Sequence, residues 1–251
     1  MEKHNKIARQ CDISDRLARI EEEIEKLTFY KFYQASDYKR ESIDEISSYD
    51  ATATRYIKST SEGWVTVLIN GVRTSLPSGL QVTLGATSGG RDYGVILEGT
   101  LSGKKFDVIA GYLDVSYSRG NSLQAKVVKN QAGAVTVDGI SYDRELHLSY
   151  KTNGTSKKAG PFLVKTDSAN PIPKGKHAIE LPDYPHYLGA RYGAFGTVWF
   201  RIGNTGDRYI HPGRESEGCL TCAPSSWADI YQIMHICRAS GKTDVGVLDF
   251  T

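Results

Sequence analysis

Trp64-Val65-Thr66-Val67-Leu68-Ile69, then Asn70-Gly71, then Val72-Arg73-Thr74-Ser75-Leu76 is the stretch that decides the fold class. Apolar β-branched residues on either side of Asn-Gly predict a two-residue hairpin, because a type I′ turn needs two residues that tolerate positive φ. The period of two continues outward. Strand-like runs are expected at Tyr93–Leu97, Phe106–Ala110, Tyr112–Tyr117 and Ser122–Val128, punctuated at Ser88-Gly89-Gly90, Ser102-Gly103 and Arg119-Gly120-Asn121. Short strands at such spacing predict a β-sandwich or barrel-like module over residues 51–130. That module holds no His and no Cys, so it reads as structural or as a recognition module.

Upstream the chemistry of the chain changes. The first 50 residues contain no Gly and no Pro, whereas all 25 Gly lie beyond them. Ile13, Leu17, Ile20, Ile24 and Leu27 step by four and three, a short coiled-coil-like seam over 13–27 with Asp12 as its expected N-cap. Residues 1–50 are therefore read as a helical N-terminal segment. The seam either docks on its own chain or serves self-association or a carrier or secretion partner. The N-terminus MEKHNKIARQ lacks the apolar run of a secretory signal.

Downstream, residues 131–251 form a third section. Asp138-Gly139 predicts another hairpin, Glu145–Tyr150 alternates as a strand, and Tyr209-Ile210-His211 ends one. One helix is expected after Ser225 or Ser226, with Trp227, Ile230, Ile233, Met234 and Cys237 on one face, and a last strand spans Val245–Phe250. The whole chain is thus mainly β with N-terminal helices and one C-terminal helix. Its 31 Lys and Arg against 29 Asp and Glu give no electrostatic footprint for nucleic acid. No run approaches the roughly 18–20 apolar residues of a membrane span. Four Cys in 251 residues are too few for a disulfide scaffold.

Chemistry concentrates in His211-Pro212-Gly213-Arg214-Glu215-Ser216-Glu217-Gly218-Cys219. A thiol with pKa of about 8.5 needs a base to become a nucleophile, and an imidazole eight residues away on a strand end is suited to that work. The expected product of that proton transfer is a thiolate–imidazolium pair. Gly218 allows close backbone approach and amide donors for an oxyanion, and Ser216 or a nearby carbonyl is the candidate for orienting the imidazole. Two other readings use the same residues. Cys219-Leu220-Thr221-Cys222 is a CxxC, which suits a zinc or redox protein with further ligands among His211, His177, His186 and His235. A sortase-like set would pair Cys222 with His147 and Arg238. The remaining alternative is a non-enzymatic β-rich binding protein.

The segment resembles the active-site signature of the L,D-transpeptidase (YkuD-like) family, a His followed by Ser/Thr-x-Gly-Cys through a Gly-containing loop. His211, Gly213, Ser216, Gly218 and Cys219 carry the likeness. Asn170-Pro171-Ile172-Pro173-Lys174-Gly175-Lys176-His177 is similar to the family's Pro-x-Gly-x-Tyr element, with His177 in place of Tyr. Glu217 stands where the family usually has His, and Thr221 where it has Arg. The resemblance covers about residues 134–251. It implies a mostly β catalytic domain acting on peptidoglycan stem peptides as an L,D-transpeptidase or L,D-carboxypeptidase. Cys219 would be the nucleophile and His211 the base. Gly213, Arg214, Glu217 and Thr221 would join Arg201 and Arg208 in the substrate-binding region. The reaction needs no cofactor and no metal. The implied place of action is the periplasm or cell wall, reached by delivery of an effector-type protein.

Overall fold

The computed structural model describes residues 53–251 and is mostly β. The helical readings at 1–50, including the seam at 13–27, lie outside the described residues.

The first sheet is built from β1 (Ala53–Ile57), β2 (Trp64–Ile69), β3 (Val72–Pro77), β4 (Gln81–Ser88), β5 (Arg91–Ile96), β6 (Lys105–Ile109) and β7 (Leu113–Asp114). They are ordered β3-β2-β6-β5-β4-β1-β7. The hairpin expected at Asn70-Gly71 forms: both residues have positive φ, 52° and 76°, and Ile69 pairs with Val72. Alternation buries Val65, Val67, Val82, Ile96, Phe106 and Val108. The strand expected over Tyr112–Tyr117 shrinks to the two residues of β7. There Leu113 pairs with Ile57, and further along Tyr117 stacks on Tyr56 instead of joining a ladder.

The second sheet begins with β8 (Leu123–Lys129), a strand that the sequence pattern groups with the middle section. It runs between β11 (Arg144–Thr152) and β17 (Asp244–Phe250), antiparallel to the first and parallel to the second. With β12 (Thr155–Lys165), β13 (Gly175–Glu180), β14 (Phe200–Arg201), β15 (Tyr209–Pro212) and β16 (Leu220–Cys222) it gives the order β13-β17-β8-β11-β12-β16-β15-β14. A bridge from Ile179 to Ile202 brings the two ends together, so this sheet is near-closed and barrel-like. A separate ribbon, β9 (Val135–Val137) with β10 (Ile140–Tyr142), turns at Asp138-Gly139 as expected. A further hairpin escaped the sequence reading: Asn153 and Gly154, both at positive φ, join β11 to β12.

The C-terminal helix α1 (Trp227–Met234) buries Trp227, Ile230, Tyr231 and Met234. It is preceded by a 3₁₀ turn at Pro224–Ser226, and Ser226 makes no side-chain cap bond. Cys237 lies past the helix end but is buried as expected. Among the described residues no helix is long and apolar enough to cross a membrane.

Charge ties the hairpin turns of the first sheet to the far end of the chain. Glu98, 7% exposed, accepts from Arg119 Nη2 at 2.9 Å and from Arg238 Nε at 3.1 Å. Both arginines also donate to the Gly79 carbonyl at 3.1 Å. Burial alone would raise the Glu98 pKa, but the two guanidiniums outweigh it and hold the carboxyl ionised. Replacing Glu98 by Gln leaves two guanidiniums facing each other without a counter-charge. The expected cost is about 3 kcal/mol of unfolding free energy, measured by urea denaturation. The half-exposed Asp143→Asn should stay within about 0.5 kcal/mol.

Candidate active site

β15 and β16 are parallel neighbours joined only by the 213–219 loop. Parallel strands are usually connected by a crossover of a dozen or more residues, so this return has to fold tightly against the strands it joins. Polar bonds pin it at each step. The Gly213 amide donates to the Cys222 carbonyl at 3.1 Å, and Thr221 Oγ1 donates to the Glu215 carbonyl at 2.8 Å. Ser216 Oγ donates to the Cys219 carbonyl at 2.7 Å. Arg208 closes the loop by donating to the Gly218 carbonyl at 2.7 Å and to Asn170 Oδ1 at 2.7 Å. Gly218 has φ of +97°, and a Cβ there would meet Asn170 Nδ2 at 2.9 Å and Arg208 Nη1 at 3.0 Å. Only glycine fits both the conformation and the space.

The register places His211 opposite Thr221 and Pro212 opposite Cys222. Alternation then turns Ile210, Leu220 and Cys222 to the core and His211 and Thr221 to the outer face. His211 is 8% exposed. Its Nδ1–H donates to the Pro212 carbonyl at 2.9 Å, since a carbonyl can only accept. That fixes the tautomer and leaves Nε2 as the basic nitrogen, 3.3 Å from Thr221 Oγ1. Of the two expected orienting groups, Ser216 or a nearby carbonyl, the carbonyl of Pro212 takes the part, and the serine hydroxyl is committed to Cys219 O within its own turn. Trp199 lies over the imidazole at 4.4 Å between centroids, and His186 stacks on the other face of the indole at 4.2 Å and 4°.

Cys219 is a free thiol, 9% exposed. Its Sγ accepts from the Tyr209 amide at 3.4 Å and lies 3.7 Å from the Asp207 carbonyl, where a ladder acceptor would otherwise sit. Among the described residues no hydrogen bond joins Sγ to the imidazole, and neither the Gly218 nor the Cys219 amide N–H has a partner. The ion pair expected from the sequence is absent at rest. Burial holds the His211 pKa down at about 4, against the opposing bond to Pro212 O. Burial likewise raises the Cys219 thiol; the Tyr209 amide and Arg208 oppose that, while Glu217 and Asp207 reinforce it. Both groups are neutral.

The other expected residues take varied places. Arg208 stands beside Cys219, whereas Arg201 is committed to Asp183 at 2.6 Å and Glu180 at 3.7 Å. The Arg214 side chain is exposed and its carbonyl accepts from Lys165. Glu217 is exposed on the turn. Cys222 is fully buried, and burial drives its thiol far above the usual range. The sortase-like set does not assemble: Arg238 belongs to the Glu98 cluster, and His147 pairs with Glu145 on the outer sheet face. Among the described residues no three His, Cys, Asp or Glu side chains converge as a metal site would require.

Sequence reasoning missed the support around the base. Asp183 Oδ1 faces His186 Nε2 at 3.3 Å, and Asp183 Oδ2 accepts from Tyr209 OH at 3.1 Å and from Arg201. Burial would raise the Asp183 pKa, but His186, Arg201 and the Tyr184 amide bring it down to about 2. The Asp183-x-x-His186 spacing was the available signal. No protein-family pattern, no curated protein and no solved structure matches the chain.

The buried imidazoles make stability pH-dependent. His211 and His235 both fall to about 4 in the fold, against about 6.5 when unfolded. Their folded pKa values are depressed, so the unfolded chain binds more protons between those limits. Stability is full above about 6.5 and is lost as pH falls toward 4, by a few kcal/mol for the two together. Urea unfolding at pH 7 and pH 4.5 should show the drop, and His235→Gln should remove about half of the pH dependence.

Proposed function

We propose that the chain is a cysteine acyltransferase acting on peptidoglycan stem peptides, an L,D-transpeptidase or L,D-carboxypeptidase. The observation that carries this reading is the adjacency of β15 and β16. It brings a tautomer-fixed imidazole and a free thiol to one end of two paired strands, with the sulfur beside Tyr209, two residues before His211, and with two unengaged amide donors at Gly218 and Cys219. The Asn170 contact with Arg208 adds the upstream Pro-rich element to the same site.

In this reaction Cys219 Sγ leaves the Tyr209 amide, turns to the scissile carbonyl and passes its proton to His211 Nε2. The oxyanion of the tetrahedral adduct takes the Gly218 and Cys219 N–H groups. Collapse expels the terminal D-amino acid, whose amine takes the proton from His211, and leaves a thioester on Cys219. A second amine or water then attacks the thioester, with His211 again removing its proton, and the thiol is restored. Arg208 is the guanidinium available to a stem carboxylate. The substrate places this work in the periplasm or cell wall. Recruitment of a carrier through residues 13–27 is part of the same proposal.

Cys219→Ala should abolish conversion of purified tetrapeptide-stem muropeptides, and Cys222→Ala should retain most of it, both followed by mass spectrometry. Full turnover by the Cys219 variant ends the reading. The products also separate exchange from trimming. Because the active base is neutral His211 with a pKa of about 4, kcat/KM should hold level from neutral pH down and fall only near pH 4. An acid limb centred near 6.5 would mean a solvated base other than His211.

A further inference from the structure

The outer face of the second sheet carries a hollow of about 390 Å³ across β13, β17, β8, β11 and β12. Lys176 on β13 pairs with Asp249 on β17, Asp249 with Lys126 on β8, and Lys126 with His147 on β11. One row further along, Gln124 pairs with Ser149, and Ser149 with Lys158 on β12. All of these side chains line the hollow, and all three lysines are exposed. The ammonium groups therefore stand on alternate strands, roughly 10 Å apart at the usual strand spacing. Among the described residues none of the three is in a salt bridge; on the same face Glu145 is taken by His147 and Glu180 by Arg201.

We propose that this hollow binds an acidic saccharide, an extended chain whose carboxylates are separated by uncharged, hydroxyl-bearing stretches. Three point charges this far apart do not converge on one small anion. Asp249, set between Lys176 and Lys126, repels a densely charged polymer but accepts from hydroxyl groups. Gln124 and Ser149 supply further hydrogen bonds of that kind. The hollow has no Phe, Tyr or Trp ring on which a nucleobase would stack, and its one imidazole, His147, is engaged by Glu145. Val247 is the only apolar side chain it presents, Ala125 turning its methyl to the core, and this offers no pocket for the large anchors that drive peptide docking. The surface lies on the same outward face as His211 and Thr221 but uses none of their groups, so it stands whether or not the acyl-transfer reading does.

The test is calorimetric titration of the full chain with a hyaluronan octasaccharide, which bears a carboxylate on every second sugar. Binding is expected at low ionic strength and should weaken severalfold by about 0.3 M salt. The combined Lys126→Gln, Lys158→Gln, Lys176→Gln variant should lose at least about tenfold in affinity, with an unchanged circular dichroism spectrum, since exposed lysines contribute little to folding. Asp249→Val, which removes both side-chain oxygens, should weaken binding severalfold through the lost hydroxyl acceptor. Four results overturn the proposal: no binding at low salt, equal binding of the neutral methyl ester, an unaffected triple variant, or an Asp249→Val complex as tight as the original. Equal or tighter binding of inorganic polyphosphate or oligothymidylate also overturns it, in favour of a general polyanion surface.

Discussion

The parallel pairing of β15 with β16 is the constraint from which the rest of the candidate site follows. Two parallel strands joined by a loop as short as 213–219 force the chain to double back within one turn. The cost is a loop with many backbone polar groups and little room. It is met by Ser216, Thr221 and Arg208, each of which satisfies a loop carbonyl, and by Gly218, which supplies the positive φ. Once that return is made, the position of Cys219 is no longer free. It must arrive beside Tyr209, just ahead of the strand that carries Thr221 to the level of His211.

Around that turn the protein accumulates buried polarity in a particular order. Asp183 is held ionised by His186, Arg201 and the Tyr184 amide, and it steadies His186 in return. His186 in turn backs Trp199, and Trp199 lies on His211. An unpaired imidazolium would be costly in so enclosed a place, which is why His211 stays neutral. The stack leaves the ring one fixed plane. Pro212 O then selects the tautomer, and the nitrogen left over faces Thr221 Oγ1, whose single proton lies between it and Glu215 O. The outcome is a basic lone pair whose one neighbouring donor is shared with a carbonyl.

The class of fold was legible in the sequence because it rests on local signals. Asn70-Gly71 and Asp138-Gly139 turn as their positive φ preferences require, and alternation marks the buried faces of β2, β5 and β8. What was not legible depends on pairings between distant segments. β8 reads like its upstream neighbours, yet it is claimed by β11 and β17, since period-two alternation carries no address. The same limit applies at the site. His211, Cys219 and Gly218 announced themselves by spacing within one turn. Trp199, His186 and Asp183 reach that turn only through the fold of the 181–202 segment, and the choice between Ser216 and a nearby carbonyl stayed open because the carbonyl of Pro212 has no sequence signature.

For the proposed acyl transfer, the resting arrangement also defines what an attack by Cys219 would have to overcome. Its sulfur substitutes for a ladder acceptor on the Tyr209 amide, a bond that favours the thiolate, yet burial and the nearby Glu217 and Asp207 carboxylates favour the thiol. The balance leaves the thiol protonated, with the base also neutral. Neutral partners cost less to bury than an ion pair whose hydration has been removed. Charge would then develop only when a carbonyl presents an oxyanion to the free Gly218 and Cys219 amides. Gly218 is the pivot of that change: its carbonyl is tied to Arg208 on one side of the turn while the amide donors remain open on the other. The loop is thus rigid where it holds the sulfur's neighbours and unsatisfied where a substrate oxygen would complete it.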